Sequence, residues 1–165
     1  ASLHTIDAGQ TINRIVGMFE TEEREQVRVR LADTLRWVIS QRLVPRIGGG
    51  RNALLEIMGS NLRTKESIQI GESEGKTFYE IIEASYTFGW RTFDHSVLEA
   101  YEDGLIREET AMLHCTRRGS VSRGIDNVKK RRGEAITDVN NLRMRLSEEA
   151  AKPATPILPV TLKLK

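Results

Sequence analysis

The stretch Gly71-Glu72-Ser73-Glu74-Gly75-Lys76-Thr77 is the first candidate for chemistry, because glycines ahead of Lys-Thr can cradle phosphates. Its spacing is wrong: three residues separate the glycines where the motif needs four. Glu72 and Glu74 would also set two negative charges where backbone N–H groups should meet phosphate. No strand leads into it, and Thr77-Phe78-Tyr79-Glu80 has the spacing of a helix capping box. The stretch is therefore read as a loop into a helix, and no other glycine pattern on the chain replaces it. His4, His95 and His114 stand singly, with no i, i+4 pair to ligate a metal. No G-x-S-x-G elbow anchors a Ser/His/Asp site, and Asp94-His95 reads as a helix start. Cys115 is the sole cysteine, which excludes an intrachain disulfide and a four-thiolate zinc site and suits a reduced, cytoplasmic setting.

The 165 residues suffice for a domain with a buried core. Charged residues make up 29% of the chain, but 25 basic against 23 acidic leaves a net charge of +2, which does not predict nucleic-acid binding. The charge is uneven, with nine Lys/Arg against three Asp/Glu from Arg117 to Arg145. Two readings of that excess stand: a solvated helical face, or a surface for anionic phospholipid or an acidic partner. No apolar run approaches the roughly 20 residues of a membrane span.

Helical spacing of Ile12, Ile15, Val16 and Phe19 after Asp7 predicts a capped helix over residues 7–19. A second helix is predicted from a Thr21 cap to about Leu43, with Val27, Leu31, Leu35, Val38, Ile39 and Leu43 on one arc. Arg28 falls inside that arc, and Trp37 falls on the polar side. Trp37 is either packed under a neighbouring loop or a subunit or partner contact, since an exposed indole is costly to leave wet. Extended stretches at 42–47 and 52–58 flank Gly48-Gly49-Gly50-Arg51 and predict a hairpin. Short helices follow: one behind the Thr77–Glu80 box, one from Phe93 ending at Asp103-Gly104, and one from Glu108 to about Cys115. Pro153, Pro156 and Pro159 forbid a helix in the tail, which is expected to be extended or disordered.

Ser2-Leu3-His4-Thr5 followed by Ala8-Gly9-Gln10-Thr11-Ile12-Asn13-Arg14-Ile15 resembles the segment after the Walker B strand of PilT-type pilus retraction ATPases. The likeness runs on through Gln26-Val27-Arg28, Val38-Ile39-Ser40-Gln41, Ile47-Gly48-Gly49-Gly50-Arg51 and Glu56-Ile57-Met58. It resumes at Thr92-Phe93-Asp94 and Gly104-Leu105-Ile106, covering roughly residues 1–115. Leu3-His4-Thr5 then looks like a strand end, and the chain like the C-terminal part of such a motor, without Walker A or Walker B. The implied fold class is α/β: later strands of a RecA-like P-loop core over 1–59, a helical subdomain over 60–147, and a tail over 148–165.

The resemblance implies that His4, Thr5 and Arg51 lie near the nucleotide. His4 would sense or polarise groups around the γ-phosphate, and Arg51 would offer a fixed guanidinium to the triphosphate. Packing at a strand end and an ordinary hairpin charge remain the plain readings of His4 and Arg51. Arg14 and Arg28 are expected at the subunit boundary, with Trp37 a further candidate there. The full motor would be a homo-hexamer that binds ATP with Mg²⁺ and retracts type IV pili through a PilC-like inner-membrane platform protein. It would work in the cytoplasm at the inner-membrane face. One departure stands out: the family's late Ala-Ile-Arg motif aligns with Ser67-Ile68-Gln69, which has no arginine, and Asn61-Leu62-Arg63 supplies the nearest one. The chain alone is expected neither to hydrolyse ATP nor to bind it tightly. The rival readings are a pilus-extension or type II secretion ATPase, and a non-enzymatic helical adaptor at a membrane complex.

Overall fold

The computed structural model describes residues 2–134. In chain order the elements are α1 (Ala8–Gly17), α2 (Arg24–Thr34), β1 (Trp37–Pro45), β2 (Arg51–Gly59), α3 (Leu62–Ile70), α4 (Phe78–Ala84), α5 (Phe93–Glu102), α6 (Glu108–His114) and α7 (Arg118–Arg132). The chain divides into a compact unit over Ala1–Val128 and a second unit from Lys129, of which residues 129–134 are described. Lys129, Lys130, Arg131 and Arg132 fall in the last turn of α7, where positive charge suits the helix dipole. Residues 135–145 of the expected basic stretch, and the Pro-containing tail, lie outside the described residues.

Local chemistry sets most boundaries. Asp7 caps α1 by accepting from Gln10 N at 2.8 Å, as its spacing predicts. The Thr77–Glu80 box forms in full, Thr77 Oγ1 accepting from Glu80 N and Glu80 Oε2 from Thr77 N at 3.1 Å. Thr92 caps α5, which ends just before Gly104 in the left-handed region. Gly48, Gly49 and Gly50 all take positive φ (86°, 104°, 77°), the region an L side chain avoids, and they turn β1 into β2.

Three expectations need correction. The second helix stops at Thr34 rather than Leu43, and Trp37 to Pro45 form β1. Val38, Ile39 and Leu43 fit a helical wheel, but antiparallel pairing from Trp37↔Gly59 to Pro45↔Arg51 stabilises the extended form. Burial then alternates along β1, with Val38, Ser40 and Val44 inside and Trp37, Ile39 and Leu43 outside. Thr21 does not cap: it opens a 3-10 turn (Thr21–Glu23), and neither that turn nor α2 has a side-chain cap. Leu3-His4-Thr5 is not a strand, for no ladder partner lies beside it among the described residues.

The inner face of the hairpin organises the core. Val38 and Met58 pack into one cluster with Ile12, Ile68, Ile82 and Trp90, so this cluster draws on α1, α3 and α4. Val44 and Leu54 pack into another with Phe93, Val97, Ile106 and Ile125, from the later helices. Between them, on the same face, lie Ser40, Arg42 and Glu56: a polar seam across an otherwise apolar sheet. Both clusters combine hairpin residues with residues beyond position 59.

Gly59 ends β2 under the Trp90 indole, and a Cβ built there would sit 2.6 Å from Trp90 Nε1. Gly59→Ala is expected to cost about 1–3 kcal/mol by overpacking. Urea unfolding checks it, and a variant as stable as the parent would contradict this packing.

Candidate functional site

The segment from Ser2 to Asp7 is tied down at several points. Thr5 Oγ1 and Thr11 Oγ1 share a 2.6 Å hydrogen bond, and Thr11 Oγ1 donates to Asp7 O at 2.8 Å. Arg42 reaches across from β1: its Nη2 donates to Ile6 O at 3.4 Å and its Nη1 to His114 O at 2.9 Å. Its guanidinium stacks 3.8 Å from the centroid of the Phe93 ring. One side chain thus joins the segment carrying His4 to the hairpin, α5 and α6. Nothing in the local sequence marks Arg42 for this, because all its partners are remote in sequence.

Glu56 makes the second tie. Only 4% exposed, it accepts the Ala8 N–H through Oε1 at 2.8 Å, at the positive end of α1. Burial pushes its carboxyl up to about 7, and Asp7 adds to the rise; the Ala8 hydrogen bond and Arg42 pull the other way. Period-two alternation put a signal in the sequence, since Glu56 shares a face with Leu54 and Met58.

Asp94, 4% exposed, is the third anchor. It accepts from Tyr79 Oη at 2.8 Å, Thr116 N at 2.5 Å and Arg117 N at 2.8 Å, fixing the α6–α7 connection against α4 and α5. Burial first, and then Asp94, push the Tyr79 phenol upward, so it stays protonated and donates. Arg117 lies 4.0 Å from the Tyr79 ring centroid and pairs with Glu80 and Glu83.

The expected site residues are distributed around this scaffold. His4 and Arg51 are exposed, and their side chains make no hydrogen bond or ion pair among the described residues. Arg51 stands at the first position of β2, beside the glycine turn. Arg14 is exposed on α1, whereas Arg28 is half-buried and donates to Ile68 O at 2.9 Å, joining α2 to α3. Trp37 is 57% exposed, so it is not packed under a loop; Ile39 and Leu43 share its outward face. The structure does not bring His4, Thr5 and Arg51 into direct contact. Gly71–Thr77 forms the loop between α3 and α4, where Glu72 Oε1 takes the Phe78 N–H at 2.7 Å and Lys76 pairs with Glu66. A carboxylate thus occupies the helix end that a phosphate would need. Among the described residues no cluster of three or more His, Cys, Asp or Glu could hold a metal ion. No helix among them is long and apolar enough to cross a membrane.

No family model matches the chain. Over 110 residues it is 37% identical to the type IV pilus retraction ATPase PilT of Pseudomonas aeruginosa, covering 67% of this chain and 31% of that protein. It is 33% identical over 122 residues to a twitching motility protein of Neisseria gonorrhoeae, covering 73% and 32% respectively. The crystal structure of the pilus retraction motor PilT with bound ADP matches at a TM-score of 0.57 and 33% identity, over 73% of this chain and 33% of that one. The chain is a homologue of the PilT-type pilus ATPases. It spans about a third of the length of the curated relatives it matches. The expected fold class agrees with the PilT likeness: a helix-rich α/β portion, here with one antiparallel hairpin among the described residues.

Proposed function

We propose that this chain is a portion of a hexameric, ATP-driven motor that retracts type IV pili. The observation that carries the reading is the 37% identity to PilT over 110 residues. His4, Thr5 and Arg51 then face the nucleotide. His4 acts on the γ-phosphate side as a neutral or charged donor, and Arg51 places a permanent charge near the triphosphate. Their exposed, unpaired state among the described residues supports that role for His4 and Arg51. ATP and Mg²⁺ supply the hydrolytic chemistry when bound. This chain's own contribution is to position a histidine, a threonine and an arginine. Arg14, Arg28 and Trp37 belong to the subunit boundary, where the outward row Trp37, Ile39 and Leu43 gives an apolar face to bury. Force passes to an inner-membrane platform protein on the cytoplasmic side, with peripheral contact to the membrane itself.

The 165 residues contain no G-x-x-x-x-G-K-[ST] loop, so a cradle for the phosphates is missing from them. The purified chain alone is expected to show no Mg²⁺-dependent ATP turnover above buffer. A linear, protein-dependent release of phosphate that survives further purification would contradict this.

A further inference from the structure

We propose that Glu56 and Ser40 form a buried proton-binding pair whose state sets how firmly α1 and the Ser2–Asp7 segment are held against the hairpin. Glu56 Oε1 already accepts the Ala8 N–H, which leaves its second oxygen to be satisfied. Directly across the ladder stands Ser40, 8% exposed, whose Oγ has no hydrogen-bond partner. A buried hydroxyl without a partner is costly, and so is a buried carboxylate without enough donors. A neutral Glu56 resolves both: its carbonyl oxygen accepts from Ala8 while its O–H donates to Ser40 Oγ. The ionised form depends on the Ala8 N–H, the Ser40 hydroxyl turned round as donor, and the more distant Arg42, with Asp7 opposing it.

The surroundings let the pair change state. A cavity of about 220 Å³ opens beside Glu56, lined by Asp7, Gln10, Glu72 and Tyr79. The charged and titratable groups facing Glu56 are Asp7 from the cap of α1, Arg42 from β1, Glu72 from the loop before α4, and Tyr79 from α4. Arg42 is already committed to Ile6 O, His114 O and the Phe93 ring. Ionisation leaves a charge in a buried place, and although the Ala8 N–H favours the carboxylate, the larger cost of burial is relieved only when Glu56 reaches the cavity and water, so openings that free α1 from the hairpin become easier. The first turn of α1 loosens, and with it the segment bearing His4 and Thr5. Because the carboxyl titrates at about 7, this change spans neutral pH. The pair itself does not depend on the nucleotide reading; the consequence for His4 does.

The test is a pH titration of the whole chain, without nucleotide, following the Ala8 and Ser40 amides by ¹H–¹⁵N NMR and amide exchange in α1. A shared midpoint near 7 is expected, with α1 exchanging several-fold faster relative to β2 on the alkaline side. Glu56→Gln should abolish both effects, and Ser40→Ala should move the midpoint, since it removes the other member of the pair. Absence of that midpoint in the unmodified chain would overturn the proposal even if neither variant folded. So would persistence of the midpoint in Glu56→Gln, or α1 exchange that ignores the transition.

Discussion

Asp94→Ala is expected to lower the unfolding free energy by about 3–5 kcal/mol, the largest loss from any single truncation discussed above. The carboxylate is buried and all three of its partners are donors: the Tyr79 hydroxyl and the Thr116 and Arg117 N–H groups. Alanine strands these donors and frees the connection between α6 and α7. Tyr79→Phe should cost much less, about 1 kcal/mol, because the two backbone bonds survive. Asp94→Asn should fall between them, since one acceptor oxygen remains and its amide offers donors where donors already point. Urea unfolding of the three variants gives the ranking directly. A loss below about 1 kcal/mol for Asp94→Ala would show that water replaces the carboxylate freely, contrary to its burial.

The second large effect is a pH dependence that runs opposite to that of most carboxylates. Glu56 has its folded-state pKa raised from the ordinary 4.5 to about 7. Below 4.5 it is protonated whether the chain is folded or not. Between 4.5 and 7 the folded chain alone keeps the proton, so unfolding releases it and stability falls as pH rises. Above 7 the contribution levels off. The total change from this group is up to about 3–4 kcal/mol, from roughly 1.4 kcal/mol per pKa unit. Glu56→Gln keeps an acceptor for Ala8 N and carries no charge, so it should remove this slope. At pH 8 it should be more stable than the parent by on the order of 1–3 kcal/mol. Unfolding free energies at pH 5 and pH 8 for both proteins decide the point. A Gln variant less stable than its parent at pH 8 would contradict the cost assigned to the buried carboxylate.

Features decided within a few residues were legible in the sequence. Asp7 capping α1, the Thr77–Glu80 box, and Gly48-Gly49-Gly50 between two extended runs each carry their partners close by. The misplaced end of α2 shows where such reading fails. Val27, Leu31, Leu35 and Val38 satisfy helical spacing, and only the ladder from Trp37↔Gly59 onward reveals that Val38 belongs to a strand. The three anchoring side chains were obscured for the same reason. Glu56 meets Ala8 48 residues away, Asp94 meets Thr116 22 residues away, and Arg42 meets His114 72 residues away. Locally they read as a strand carboxylate, a helix-start aspartate and a hairpin arginine. His4 and Arg51 stand out through family likeness rather than through their own surroundings, which hold no partner for either side chain among the described residues.

In the proposed function this chain supplies the histidine and arginine side of a motor's nucleotide site. The most direct measurement is steady-state, Mg²⁺-dependent ATP turnover by a chimera in which this chain replaces the matching third of Pseudomonas aeruginosa PilT. Turnover by the chimera is expected, with a drop of at least about tenfold on His4→Ala or Arg51→Ala while folding stays intact. A folded chimera that turns over ATP equally well with alanine at both positions would contradict it.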